Sequence, residues 1–135
     1  MEIQPQNNSI HDIRELKPTK IIKNWGWEEV IVNRYVPDIC SKILHYNNKG
    51  SMSSFHMHPV KQEVFRCIRG SFIFRYKDKN GNTLETKMFP PDSVFIPNCA
   101  PHQLESLEDN SEILEISTYH NDLDVIRIAP GDSQK

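Results

Sequence analysis

Two histidines one residue apart, His56 and His58, sit in the stretch GSMSSFHMHPVKQEVFRCIRG, and Glu63 follows His58 by five positions. Imidazole nitrogens and a carboxylate placed so closely are the donors of a transition-metal site. If MSSFHMH is a strand, residues 52, 54, 56 and 58 share one face, because successive side chains alternate. His56 and His58 then project side by side, about 7 Å apart at the usual rise per residue. That spacing is too long for a hydrogen bond between them and suits two ligands converging on one ion. Pro59-Val60 reads as a short turn, and a hairpin there returns Glu63 beside the histidines. One strand and its neighbour cover only one side of an ion, so a further ligand has to come from elsewhere. His102, opening HQLESL just after the IPNCAPH turn, is the natural candidate. The expected centre is one divalent metal ion, Zn, Mn, Fe or Ni, held by His56, His58, Glu63 and His102. Four protein ligands leave one or two open positions on an ion that accepts five or six, which permits a Lewis-acid role.

The elements that must hold these side chains read as strands. From Glu29 onward, short apolar or alternating runs recur: EVIVNRYV, CSKILHY, MSSFHMH, EVFRCIR, SFIFRY, LETKMF, SVFIP, HQLESL, EILEIST and DVIRI. Turn residues punctuate them, with Asn80-Gly81 a strong hairpin signal. No stretch keeps a helical period over three turns, so the fold class is all-β, a sandwich or barrel. Residues 1–20 are polar, hold Pro5 and Pro18, and read as an N-terminal arm with one helical turn near His11–Leu16. The domain proper is expected over residues 21–130, with a tail over 131–135.

The bulk numbers exclude some partners. At 135 residues the chain makes one domain with a single core. A net charge of −2 with both signs interspersed offers no footprint for nucleic acid or an anionic membrane. No apolar run is long enough to span a bilayer, and no charged-then-apolar leader opens the sequence. Cys40, Cys67 and Cys99 lack ligand spacing and are expected as reduced, core-packed thiols of a cytoplasmic protein. Apolar edge strands suggest a homodimer.

The motifs also carry a resemblance. Gly50-x5-His56-x-His58-x4-Glu63-x6-Gly70 resembles the first cupin motif at every defined position. Residues 91–102 are similar to the second: Pro97 and His102 match, while Pro91 and Cys99 stand where glycines are usual and Ser106 where asparagine is frequent. This resemblance covers about residues 23–128 and implies a jelly-roll cupin with the same four metal ligands. A narrower one links Lys23–Glu28, the Lys42-Ile43-Leu44 strand, Lys61–Phe65 and Leu114–Arg127 to the type II mannose-6-phosphate isomerase domain. His56 replaces the glutamine usual there, and Lys61 the arginine.

That likeness implies an aldose–ketose isomerase acting on a small phosphorylated sugar. A metal polarises the carbonyl and hydroxyl oxygens, and a carboxylate shuttles the proton between carbons. Lys42, Lys61 and Arg127 are the candidates for holding phosphate, although cations on strand edges are also ordinary solvated groups. Glu115 is the candidate catalytic carboxylate. It shares a face with Ile113 and Ser117, and parity leaves open whether that face is inside the barrel or outside. Trp25 and Trp27 are expected to anchor the first strand, and His11, His45 and His120 to be structural. The alternatives are a metal-dependent oxygenase or lyase on a small organic acid, and a non-catalytic sugar-binding cupin.

Overall fold

Alternating residues along the chain fold into two antiparallel sheets packed face to face in a computed structural model that describes residues 13–135. The strands are β1 (Thr19–Lys23), β2 (Gly26–Arg34), β3 (Ile39–Tyr46), β4 (Phe55–Met57), β5 (Glu63–Arg69), β6 (Phe72–Lys77), β7 (Thr83–Met88), β8 (Ser93–Ile96), β9 (His102–Ser106), β10 (Ser111–Ser117) and β11 (Ile126–Ala129). One sheet runs β1-β2-β3-β10-β5-β8 and the other β11-β4-β9-β6-β7. The all-β expectation holds. Among the described residues no helix is long and apolar enough to cross a membrane.

Register sorts the interior into an apolar end and a polar end. Across the six-stranded sheet Ile113 pairs with Leu44 and Cys67, Glu115 with Lys42 and Phe65, and Ser117 with Cys40 and Glu63. All of these side chains are buried. The apolar end is filled by Trp25, Tyr46, Phe72, Phe74, Met88, Leu104 and Ile113. Tyr46 stacks on Trp25 with ring centroids 4.4 Å apart and meets Phe72 edge-on at 5.1 Å. Each such side chain contributes about 1.5–3 kcal/mol by leaving water. This packing supports an opposite end where burial of charge works against stability. At Gly70, φ is +67°, and an added Cβ would lie 2.1 Å from the Ser111 hydroxyl oxygen. The chain can turn from β5 into β6 there only with glycine.

Several boundaries differ from those expected. Strand β1 begins at Thr19, inside the stretch expected as arm, and β2 begins at Gly26 rather than Glu29. Residues 13–18 carry no helical turn, and the rest of the expected arm lies outside the described residues. Residues 131–135 are docked rather than trailing. A 3-10 turn at Asp132–Gln134 is tied down by Asp132 N–H to the Met52 carbonyl, Met52 N–H to the Asp132 carboxylate (both 2.9 Å) and Asn24 N–H to the Ser133 hydroxyl (3.1 Å).

Trp25 does anchor β2 to the core, while Trp27 stacks on His45 at 4.5 Å and carries Lys20 over its ring at 4.1 Å. His45 is structural as expected, held by Glu112 and Asn110. Cys40 and Cys67 are buried, but Cys99 is exposed, a departure from the core packing expected of all three. Its φ of +66° is the conformation a glycine usually supplies, so the backbone of the turn is kept and the side chain is turned to solvent. Burial pushes the Cys40 thiol up and the Cys67 thiol to about 11. Titration with a thiol reagent should therefore modify one cysteine per chain in the folded protein and all three after unfolding. Rapid reaction of a second thiol in the native state would contradict this packing.

Candidate metal centre and its cavity

His56 lies on β4, His102 opens β9 directly opposite it, and His58 follows β4 by one residue. The ligand nitrogens of His56, His58 and His102 lie within 4.8 Å of one another. Glu63, at the start of β5 on the facing sheet, brings Oε2 to 3.1 Å from His102 Nε2 and 3.7 Å from His58 Nε2. All four residues expected as ligands therefore meet, three from one sheet and one from the other.

The hydrogen bonds behind the rings fix which nitrogen faces the cavity. Nδ1–H of His58 donates to the Asp124 carbonyl at 2.6 Å and that of His102 to the Ala100 carbonyl at 2.8 Å. His56 Nδ1 lies 2.9 Å from the Ser54 carbonyl. A carbonyl only accepts, so Nδ1 carries the proton in each ring and Nε2 presents a lone pair. Glu63 Oε2 and His102 Nε2 are buried and have no hydrogen-bond partner among the described residues. Two buried acceptors facing each other at 3.1 Å repel unless a cation lies between or beside them. The donor set thus fits a divalent ion. Burial, followed by the neighbouring His102 and His58, lowers the His56 pKa to about 3, and burial with Lys61 lowers that of His58. Neutral imidazoles are the form that binds metal.

Behind the ligands stands a network of buried charge. Lys61, only 2% exposed, donates from Nζ to Glu63 Oε1 at 3.0 Å, Glu115 Oε2 at 3.3 Å and His120 Nδ1 at 2.9 Å. These use all three protons of the ammonium group. Burial pushes the Glu63 carboxyl up, while the Lys61 ammonium 3.0 Å away pulls it down, and the net shift is below the ordinary carboxylate range. Glu115 is 3% exposed and faces the interior, which resolves the parity left open by the sequence. Burial raises its pKa against the opposing pull of Lys61. His120 also hydrogen-bonds Asp122 at 2.9 Å and lines the cavity rather than serving only structure. Burial and the adjacent Lys61 lower its pKa to about 4.

These groups line one open cavity of about 270 Å³. Lys42 is buried on its wall and pairs with Glu28 at 3.3 Å, so it is not a solvated strand cation. Arg127 lies opposite His56 in the β11–β4 register and is exposed at the rim. Ser133 and Gln134 of the docked C-terminal segment complete part of the wall. Sequence reasoning did not find Glu28, His120 or Asp122. Glu28 did carry a signal, since it lies on the β2 face opposite Trp27 and pairs in register with Leu44, next to Lys42.

Asp124 is the other residue without a local sequence signal. Its carbonyl orients His58, while its carboxylate accepts from Val60 N–H at 2.9 Å and Lys61 N–H at 2.8 Å. One residue thereby holds a ligand and the turn that delivers Lys61. Asp124→Ala keeps the carbonyl that orients His58 but removes the carboxylate that holds the Val60–Lys61 turn. Metal affinity should therefore fall by less than the roughly 10–100-fold that follows loss of a group bonded directly to a ligand, without unfolding the barrel. Equal metal affinity in a competition titration against a chromophoric chelator would count against this role.

No protein-family model matches the chain, and no curated protein matches it in sequence. Solved structures do match in shape. Oxalate decarboxylase from Bacillus subtilis superposes with a TM-score of 0.74 at 16% identity, over 87% of this chain and 33% of that one. CapF, a capsular polysaccharide assembling protein from Staphylococcus aureus, gives 0.71 at 17% identity, over 85% and 33%. The fold is that of a cupin. The chain spans about a third of the length of either neighbour, and at such identity the likeness speaks to fold alone. Mn(II) centres are described for the oxalate decarboxylase. In this chain the histidine triad is the place where a metal ion fits.

Proposed function

We propose that this cupin is a metal-dependent aldose–ketose isomerase acting on a small phosphorylated sugar, related in chemistry to mannose-6-phosphate isomerase. The observation that carries the reading is Glu115, a buried carboxylate outside the ligand set that shares one cavity with the triad. A divalent ion bound by His56, His58, Glu63 and His102 would supply Lewis acidity to two adjacent sugar oxygens. Glu115 takes the proton from the carbon beside the carbonyl and returns it to the former carbonyl carbon. The matching hydroxyl proton crosses between the two oxygens. Burial raises the Glu115 pKa, which makes the carboxylate a stronger base for taking a proton from carbon. Lys61 holds Glu115 in place and offsets charge on both carboxylates. With Lys42 and Lys61 engaged inside, Arg127 at the rim is the cation placed to meet phosphate first.

A second reading is a lyase or oxygenase acting on a small organic acid. The cavity volume favours it, since about 270 Å³ falls just below the ~300 Å³ at the lower end of small-molecule sites. The deciding experiment offers metal-loaded protein mannose 6-phosphate, fructose 6-phosphate and a panel of other sugar phosphates, with and without chelator. Chelator-sensitive interconversion supports the isomerase. Oxygen uptake or carbon dioxide release from small acids, with every sugar phosphate inert, selects the second reading. Sugar binding without turnover selects a non-catalytic cupin.

A further inference from the structure

The two sheets differ on their outer faces. That of the five-stranded sheet is charged, with Arg75 paired to Glu85 at 3.2 Å and to Glu105 at 2.8 Å. On the six-stranded sheet, one outward row across β2, β3, β10 and β5 reads Glu29–Ile43–Leu114–Arg66. The next outward row, extended to β8, reads Val32–Ser41–Ile116–Val64–Phe95. Within it Ile116 is 51% exposed and Phe95 63%, and Ile39 on the same face is 41% exposed. The result is a connected apolar surface with an acid on one flank and a base on the other. Such surfaces mark interaction sites.

We propose that this face packs against the same face of a second copy of the chain. The order of residues in the rows selects the geometry. A twofold axis in the interface, running along the strands between β3 and β10, exchanges β2 with β5 and β3 with β10 while keeping each row level. Glu29 then meets the partner's Arg66, Ile43 meets the partner's Leu114, and Val32 meets the partner's Val64. An axis lying along the first row instead sets Glu29 against the partner's Glu29 and Arg66 against the partner's Arg66, which like charge disfavours. The first arrangement is isologous, so each favourable contact occurs twice. It also keeps the two sets of strands near alignment, the ordinary way for sheets to stack about 10 Å apart. The cavity opens away from this face, and the inference is independent of the reaction proposed above.

The test is a charge swap read by light scattering on a sizing column at micromolar concentration. The wild type is expected at twice 15.8 kDa. Glu29→Arg and Arg66→Glu each set like charges at two symmetry-related contacts and should weaken the dimer by about 100-fold or more. Combining Glu29→Arg with Arg66→Glu restores the opposite charges and should restore the dimer. Ile116→Asp should give monomer whatever the charges. Metal content equal to wild type in each variant reports that the barrel is intact. A monomeric wild type, dimeric single variants or a double variant that stays monomeric would each overturn the proposal.

Discussion

His58→Ala, purified and dialysed beside the wild type, should retain less than about a tenth of the metal. Removing a ligand costs more than the roughly 10–100-fold lost with a supporting group. Two features sharpen the expectation. The Asp124 carbonyl that orients His58 is left without its donor, and Glu63 Oε2 loses one of the two imidazoles beside it. Elemental analysis checks this, and full stoichiometric metal in the variant would remove His58 from the centre. Proton linkage gives a companion result for the metal-free wild type. His56 is held neutral down to about 3, against an ordinary value of 6.5. The unfolded chain therefore binds protons that the folded one refuses, and stability should fall as pH drops from about 6.5 towards 3. Thermal midpoints across that window, with and without metal, measure the effect.

Glu115→Gln should leave metal content unchanged and lower turnover of the active sugar phosphate by about 10²–10⁴-fold, the usual contribution of a positioned acid–base group. Glutamine keeps the shape and can still accept from Lys61, so the network around Glu63 is preserved while the exchangeable proton is lost. The loss belongs in kcat, with KM little changed, because the carboxylate acts on a carbon-bound proton rather than in binding. If Glu115→Gln turned over at the wild-type rate, another group would have to carry the proton. His120, which shares Lys61 with Glu115, would be the first to examine.

The metal centre was legible in sequence because its information is local. His56, His58 and Glu63 fall within eight residues, and alternation alone sets the two histidines on one face. The strand pattern was legible for the same reason, wherever one face is apolar. Legibility failed where the inner face turns polar. Along β10 the inward residues are Ser111, Ile113, Glu115 and Ser117, while Leu114 and the exposed Ile116 point outward. Hydrophobic patterning therefore leaves the direction of Glu115 undetermined. Lys61 follows Pro59-Val60 and looks like a turn cation, yet three acceptors from other strands and loops draw it inside. Asp124 and His120 act through contacts more than fifty residues away in sequence, for which no short motif exists. Strand β1 was hidden by its composition, since TKIIK is mostly exposed and follows Pro18.

Proton transfer through Glu115 in a metal-loaded cavity is the central claim, and one measurement reaches it most directly. Metal-loaded protein is incubated in heavy water with the sugar phosphate that it interconverts, and the recovered sugars are read by proton NMR until equilibrium. A carboxylate that carries the proton between carbons exchanges it with solvent over repeated turnovers, so deuterium should accumulate on the carbons beside the carbonyl. The chelated protein and Glu115→Gln should show almost none. Interconversion and carbon-bound deuterium at the wild-type rate in Glu115→Gln would contradict the account, because another group would then carry the proton between the carbons.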